Sequence, residues 1–172
     1  MIQPIYVKGD NNQLYKQLDA ALAQRAHYIE LKEKSLNDIK QGAKYVTSNE
    51  DKLKLYEQLA NDYKAYEYDS AMTYVNKGLL LAQKSNNILF NKRFRLSQTR
   101  LLITRGFYAE AKEILQKIAP QEDSHNYQFL YYYTLYELYN NWAAYCENNE
   151  FSKNYNQKKM EYLKKAIELS PK

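Results

Sequence analysis

Five basic side chains, Lys92, Arg93, Arg95, Arg100 and Arg105, fall in one segment that carries no acidic residue between Asn86 and Gly106. A guanidinium meets a carboxylate through two parallel hydrogen bonds. Such a segment therefore suits a carboxylate, the C-terminus of a peptide or an acidic glycan. In a helix, Arg93 and Arg100 share one face. Further along, Tyr127, Tyr133, Asn140 and Asn141 fall off the apolar stripes of their own helix, and an aromatic and amide surface suits extended peptides or sugars. Arg93, Arg100, Tyr127, Tyr133, Asn140 and Asn141 are thus the candidate partner-binding set. The plainer alternative for each is a solvated surface residue, with Arg105 complementing a helix end. Arginine beside tyrosine also suits stacking on nucleic-acid bases, but tyrosines at strict helical spacing are more often core.

Enzymatic chemistry finds no support. The chain has no glycine-rich phosphate loop, no paired His-x-x-x-His and no Cys-x-x-Cys. His27 and His125 stand far apart, so neither a metal site nor a cofactor is expected. Cys146 lies on an apolar stripe, where a small core residue is expected before a nucleophile. Glu110 and Glu113 read as solvated helix charges rather than an acid–base pair. Lys158, Lys159, Lys164 and Lys165 form a basic cluster that could approach anionic lipid if a membrane helix followed, and otherwise a solvated face.

These side chains need helices to position them. Only four Gly and three Pro occur in 172 residues, which with abundant Ala, Leu, Lys, Glu and Gln is an all-α composition. Residues 1–11 carry Pro4, Gly9 and Asp10 and read as a lead-in segment. From residue 12 a long helix runs to about 46. Its spacing of three and four passes through Leu18, Leu22, Arg25, Ile29, Lys32, Leu36 and Ile39, a stripe expected to be packed, with a possible break near Gly42. Hairpins follow at about 48–85, 86–119 and 123–171, completing one helical-repeat domain from 12 to 172. Thr47 and Ser48 each have a carboxylate three residues on, a capping-box start. Asp69 is expected to cap the next helix, Gly78 to admit a close neighbour, and Gly106 to end the helix before it. Two helices carry paired apolar stripes, Phe90-Phe94-Leu101 with Leu89-Leu96-Ile103, and Phe129-Tyr132-Tyr136-Tyr139-Ala143-Cys146 with Tyr131-Leu135-Leu138-Trp142-Tyr145. Such helices need neighbours on both sides, as in the middle of a stack.

Charge and targeting narrow little. A net charge of +5 from 25 basic and 20 acidic residues is too mild to identify a nucleic-acid binder. One cysteine excludes an internal disulfide. No apolar stretch long enough for a membrane span occurs, and the first residues lack a secretion-signal pattern. A periplasmic domain trimmed from a longer chain and a cytoplasmic protein both remain open.

The closing segment, Tyr162-Leu163-Lys164-Lys165-Ala166-Ile167-Glu168-Leu169-Ser170-Pro171, resembles the second helix of a tetratricopeptide repeat and its stop proline. Ala71 and Ala111 mark weaker echoes, and their separation of 40 residues, against roughly 34 in a regular repeat, makes the array irregular. The front half, Leu18 through Lys34 followed by Leu55-Tyr56-Glu57-Gln58-Leu59 and Tyr66 through Ala71, resembles a family of unknown function from Bacteroidetes. The resemblance implies a membrane-tethered transcriptional regulator: a signal peptide, this helical region outside the inner membrane, one membrane helix and a cytoplasmic DNA-binding tail. It implies no catalytic residue. The expected function is a non-catalytic domain binding a protein or peptide, or else an acidic ligand or glycan, in the sensory part of such a regulator. The alternatives are a cytoplasmic adaptor and, with less support, a nucleic-acid-binding repeat.

Overall fold

The computed structural model describes residues 11–121, 123–147 and 150–170. The expected lead-in segment, apart from Asn11, and the stop at Pro171 lie outside them. Seven α-helices and no strand occur among the described residues: α1 Asn11–Gly42, α2 Asn49–Tyr63, α3 Tyr68–Lys84, α4 Ile88–Thr104, α5 Tyr108–Lys117, α6 His125–Tyr145 and α7 Glu150–Glu168, with a short 3-10 turn at Ala43–Tyr45 after α1. The chain divides into two compact units, Met1–Val46 and Thr47–Lys172.

In the first unit α1 is a single long helix that stops at Gly42. The stripe expected to be packed departs from expectation: Leu18, Leu22 and Ile29 are exposed, and Leu36 is buried. Spacing alone says which side chains share a face, not whether that face finds a partner.

The second unit is a stack of antiparallel helical hairpins. Each helix packs on the next from α2 to α7, and α2, α4 and α6 also pack on one another in turn. α4 shows why two apolar stripes were needed. Its Phe90 and Phe94 join Leu53 and Ala82 of the first hairpin, while Leu96 and Ile103 join Ala111, Leu115, Tyr131, Leu135 and Leu138 on the other side. Leu89, placed on a stripe by its spacing, is half exposed. Gly78 on α3 is buried against the ring of Phe94, where a Cβ would overlap the ring atoms.

The turns are written in the sequence as hydrogen-bonding chemistry. Ser48 accepts from the Asp51 amide at 3.4 Å and Asn87 from the Phe90 amide at 3.0 Å, each starting a helix. At the end of α4, Gly106 adopts φ +81°, so that the Gly106 and Phe107 amides donate to the Ile103 and Leu102 carbonyls at 3.1 and 3.0 Å. Asn86, φ 51°, closes α3 in the same way. The start of α3 differs from expectation. Glu67 accepts from the Asp69 amide at 3.3 Å, and Asp69 sits within the first turn, where its charge favours the helix dipole.

Aromatic packing dominates the last hairpin. Tyr132, Tyr139 and Trp142 of α6 stack on Tyr155 and Tyr162 of α7, with Trp142 and Tyr155 centred 4.7 Å apart. Two tyrosine hydroxyls end inside rather than at the rim. Tyr127 donates to the Ile118 carbonyl at 2.7 Å, and Tyr131 adds a bond at 3.2 Å to the Leu115 carbonyl, which also accepts from the Ile118 amide at the end of α5.

Candidate functional site

Among the described residues α2, α4 and α6 pack directly on one another, and α3 and α5 show no comparable contact. α2, α4 and α6 thus form the more closely packed layer, the inner face of the stack. A cleft of about 190 Å³ opens on it, lined by Glu57, Asn61, Arg93, Leu96, Ser97, Arg100, Leu130 and Thr134. A small hollow adjoins it at Asn61, Ser97 and Arg100 and is completed by Ala60, Lys64, Val75 and Leu101.

The two arginines of the candidate set both come to this cleft, already engaged. Arg93 reaches α2, where its Nε and Nη2 grip both carboxylate oxygens of Glu57, the Nε contact being 2.7 Å. Arg100 reaches α6 and holds Glu137 through Nε at 2.7 Å and Nη2 at 3.0 Å. One helix thus clips both its inner-layer neighbours with fork-to-fork pairs, the arrangement that arginine performs and lysine does not. The other cations of the 86–106 segment have partners too. Lys92 holds Asp123 at 2.7 Å, Arg95 donates to Gln98 at 3.0 Å, and Arg105 lies 4.4 Å over the Tyr68 ring. Lys92 also holds the Asp123 carboxyl below its ordinary range, by hydrogen bonding to the charged form.

The remaining candidates divide. Tyr133 joins the site, its ring 5.7 Å from the Arg100 guanidinium and stacked on Phe129. Asn141 lies two turns beyond Thr134 on the same face, exposed, donating to the Glu137 carbonyl at 2.8 Å. Asn140, partly exposed, lies one turn beyond Glu137. Tyr127, expected to face a groove, is instead buried at 2% exposure in the core between α5 and α6. It stands one turn before Tyr131 and so extends the Tyr131-Leu135-Leu138 stripe into the core, where its hydroxyl meets the Ile118 carbonyl.

Glu57, Glu137, Asn61, Ser97 and Lys64 were not singled out from the sequence. A signal for the first two exists. Glu57 precedes Arg93 by 36 residues and Glu137 follows Arg100 by 37, close to one repeat length of roughly 34, the separation at which equivalent positions of successive inner helices face each other. Lys64, at the end of α2, forms no hydrogen bond or ion pair through its ammonium group among the described residues. Burial lowers its pKa below the ordinary lysine value, the Arg100 charge lowers it further, and Glu137 opposes both.

Removing Glu137 should therefore hurt more than removing a surface charge. Glu137→Ala leaves Arg100 and Lys64 facing each other without a carboxylate, and is expected to cost about 1–3 kcal/mol of stability. Adding Arg100→Met should recover part of that loss. Urea unfolding of the two single variants and the double variant checks it, and strictly additive costs would show that the pair is not coupled.

The model of the SusR N-terminal TPR domain matches residues 22–172. The chain belongs to this family. It is thus a tetratricopeptide-type helical-repeat domain of the kind found in SusR-like regulators, as its closing segment and front half imply. No curated protein and no solved structure matches it. Among the described residues no helix is long and apolar enough to cross a membrane, and no group of His, Cys, Asp and Glu is placed to hold a metal.

Proposed function

We propose that this SusR-type repeat domain is the sensory part of a membrane-tethered bacterial regulator, lying on the periplasmic side and binding a protein or peptide on its inner face. The observation that carries this reading is the cleft on the α2, α4 and α6 layer, where two apolar side chains, Leu96 and Leu130, sit among polar and charged ones. A floor of this kind gives a partner both burial and orientation. It also suggests how binding is relayed. α4 is fastened to α2 through Arg93–Glu57 and to α6 through Arg100–Glu137, so a partner seated between the clips acts on the spacing of all three inner helices. A change in that spacing alters the curvature of the stack and is passed through α7. Nothing in this role calls for catalysis.

The test is site-specific photo-crosslinking. A photoreactive amino acid at Ser97 on the inner face is compared with one at Leu80, an exposed position of α3. Envelope and cytosolic extracts of the source cells, treated with nuclease, are irradiated separately. An envelope protein or peptide captured from Ser97 and not from Leu80 is the expected result. Equal capture at both positions would sink the inner-face reading, and a partner found only in cytosol would replace the sensor with an adaptor.

A further inference from the structure

We propose that the open groove between α2 and α3 docks an amphipathic helix of a partner protein, one that carries acidic residues beside its apolar stripe. The groove measures about 630 Å³ and is lined chiefly by Lys52 and Tyr56 of α2 and by Lys77, Leu80, Leu81 and Lys84 of α3. It shares no residue with the inner-face cleft, so it is a second binding surface that does not depend on the role proposed for the first.

The repeat itself says what shape fits there. The separation of 36 residues that relates Glu57 to Arg93 also takes Lys52 to Ile88 and Tyr56 to Lys92, and the 40 that relate Ala71 to Ala111 take Lys77 to Lys117. The matching groove of the second hairpin thus lies at Ile88, Lys92 and Lys117. There the end of α3 and the turn after it, Ala82, Gln83, Asn86 and Asn87, form the facing wall, and about 300 Å³ stays open. In the first hairpin every lining residue belongs to α2 or α3, so no other helix end of the Thr47–Lys172 unit takes that place. The floor suits one. Tyr56 and Leu81 pack on the Leu53, Ala82, Phe90 and Phe94 cluster, and Leu80 remains 67% exposed. A trough this open cannot enclose most of a small molecule's surface, as a ligand pocket does. It can cover one apolar stripe of a helix.

Charge selects the kind of helix. Lys52, Lys77 and Lys84 border the groove, no carboxylate lines it, and none of the three lysines forms an ion pair among the described residues. The acids nearest to Lys52 in sequence, Glu50 and Asp51, both lie against Lys54 instead. Lys77 rests over the Tyr74 ring, 5.0 Å from its centre, a contact that leaves the positive charge in place. Lys77 and Lys84 stand two turns apart on one face of α3, about 10 Å along its axis, with Leu80 and Leu81 between them. A partner helix lying along α3 meets them with two acids of the same spacing, while its apolar stripe covers Leu80 and Tyr56. A second copy of this chain fits poorly, since its net charge is +5 and the exposed stripe of α1 comes with two basic and two acidic residues over 11–31.

The experiment is a titration of the isotope-labelled full chain followed through its backbone amide signals. The probes are a helical peptide with a leucine stripe and two glutamates seven residues apart beside it, the same peptide with lysines for those glutamates, and a third with a proline at its centre. The glutamate peptide is expected to move the signals of Tyr56, Lys77, Leu80 and Lys84 and to leave those of Ser97 and Arg100 in place. The lysine peptide should bind about tenfold more weakly, because two exposed attractions become repulsions, and high salt should narrow the gap. Lys77→Glu/Lys84→Glu should reverse the preference, and Leu80→Asp should abolish binding of both peptides. All three side chains are exposed, so unchanged amide spectra elsewhere certify the fold. Equal affinity for the glutamate and lysine peptides, equal affinity for the proline peptide, absence of any binding, or no reversal in the double variant would each overturn the proposal. So would Leu80 signals that move with protein concentration alone, which would make a second copy the occupant. The inner-face role is judged separately. A partner of this groove is captured by the photoreactive residue at Leu80 and not by the one at Ser97, the reverse of the inner-face pattern, so either role can fail without the other.

Discussion

Replacing Phe94 with alanine is expected to destabilise the Thr47–Lys172 unit by about 3–5 kcal/mol, the largest loss of any single truncation considered. Phe94 is fully buried and belongs to the cluster that joins α4 to the first hairpin. Gly78 on α3 is its counterpart, since a Cβ there would occupy the space of the Phe94 ring. The ring cannot swing aside cheaply, because Leu53, Ala82 and Phe90 are packed in the same cluster. Two effects therefore compete in Gly78→Ala. Alanine favours a helix interior by about 1 kcal/mol over glycine, and overpacking costs about 1–3 kcal/mol. The overlap is with a fully enclosed ring, so overpacking should win and the variant should be less stable. In Gly78→Leu/Phe94→Ala the new side chain can enter the space the ring leaves, so the double variant should lose less than the sum of the two single losses. Urea unfolding provides the numbers, followed by far-ultraviolet circular dichroism for the helices and by fluorescence of Trp142 for the last hairpin. Coincident transitions from the two probes would show that the hairpins unfold as one unit. Additive losses would mean that Gly78 and Phe94 do not share a space.

That pair also shows what a sequence can convey about such a fold. Gly78 within an apolar period announces a close approach, and Gly106 after another announces a positive-φ turn, because only a few residue types solve those local problems. The two stripes of α4 likewise demand neighbours on both sides before any neighbour is known. The site was less legible. Five cations without an intervening acid look like a surface waiting for an anion, yet Arg93 and Arg100 are answered by carboxylates more than thirty residues away. Such pairing becomes visible only when the repeat length is used as a ruler, and the irregular spacing of Ala71 and Ala111 blurs that ruler. Lys64 has no distinguishing pattern at all. Its importance lies in a local balance of charge that depends on which neighbours are already paired. The stripe of α1 makes the complementary point, since a correct periodicity left open whether anything covers Leu18, Leu22 and Ile29.

Alkaline unfolding should be steep, and tyrosines should cause it. Burial pushes Tyr131 and Tyr139 up to about 12 and Tyr127 higher still, as the charged phenolate is penalised away from water and by nearby acidic groups. The folded chain therefore keeps these protons to a higher pH than the unfolded chain, in which tyrosine ionises near 10. Between those limits the unfolded state binds fewer protons, so stability falls as pH rises. The contribution is fully present below about pH 10 and is lost between about 10 and 12. Three such groups give a slope of about 4 kcal/mol per pH unit, enough to remove a typical domain's whole stability within two units. Lys64 acts in the opposite sense: its lowered pKa makes stability rise with pH up to the ordinary lysine value of 10.5, and then its effect is constant. One group that has finished acting by then cannot offset three. Guanidinium titrations at pH 8, 10 and 11.5 test the slope, with Tyr139→Phe as the decisive variant. Its hydroxyl makes no hydrogen bond among the described residues, so the variant should fold normally at pH 8. Above pH 10 its slope should be shallower by about 1.4 kcal/mol per pH unit, one group's share. The Tyr139 hydroxyl lies at the edge of the aromatic cluster, and an unchanged slope would mean that it is hydrated well enough there to ionise as in the unfolded chain, despite the ring's stacking on Tyr162.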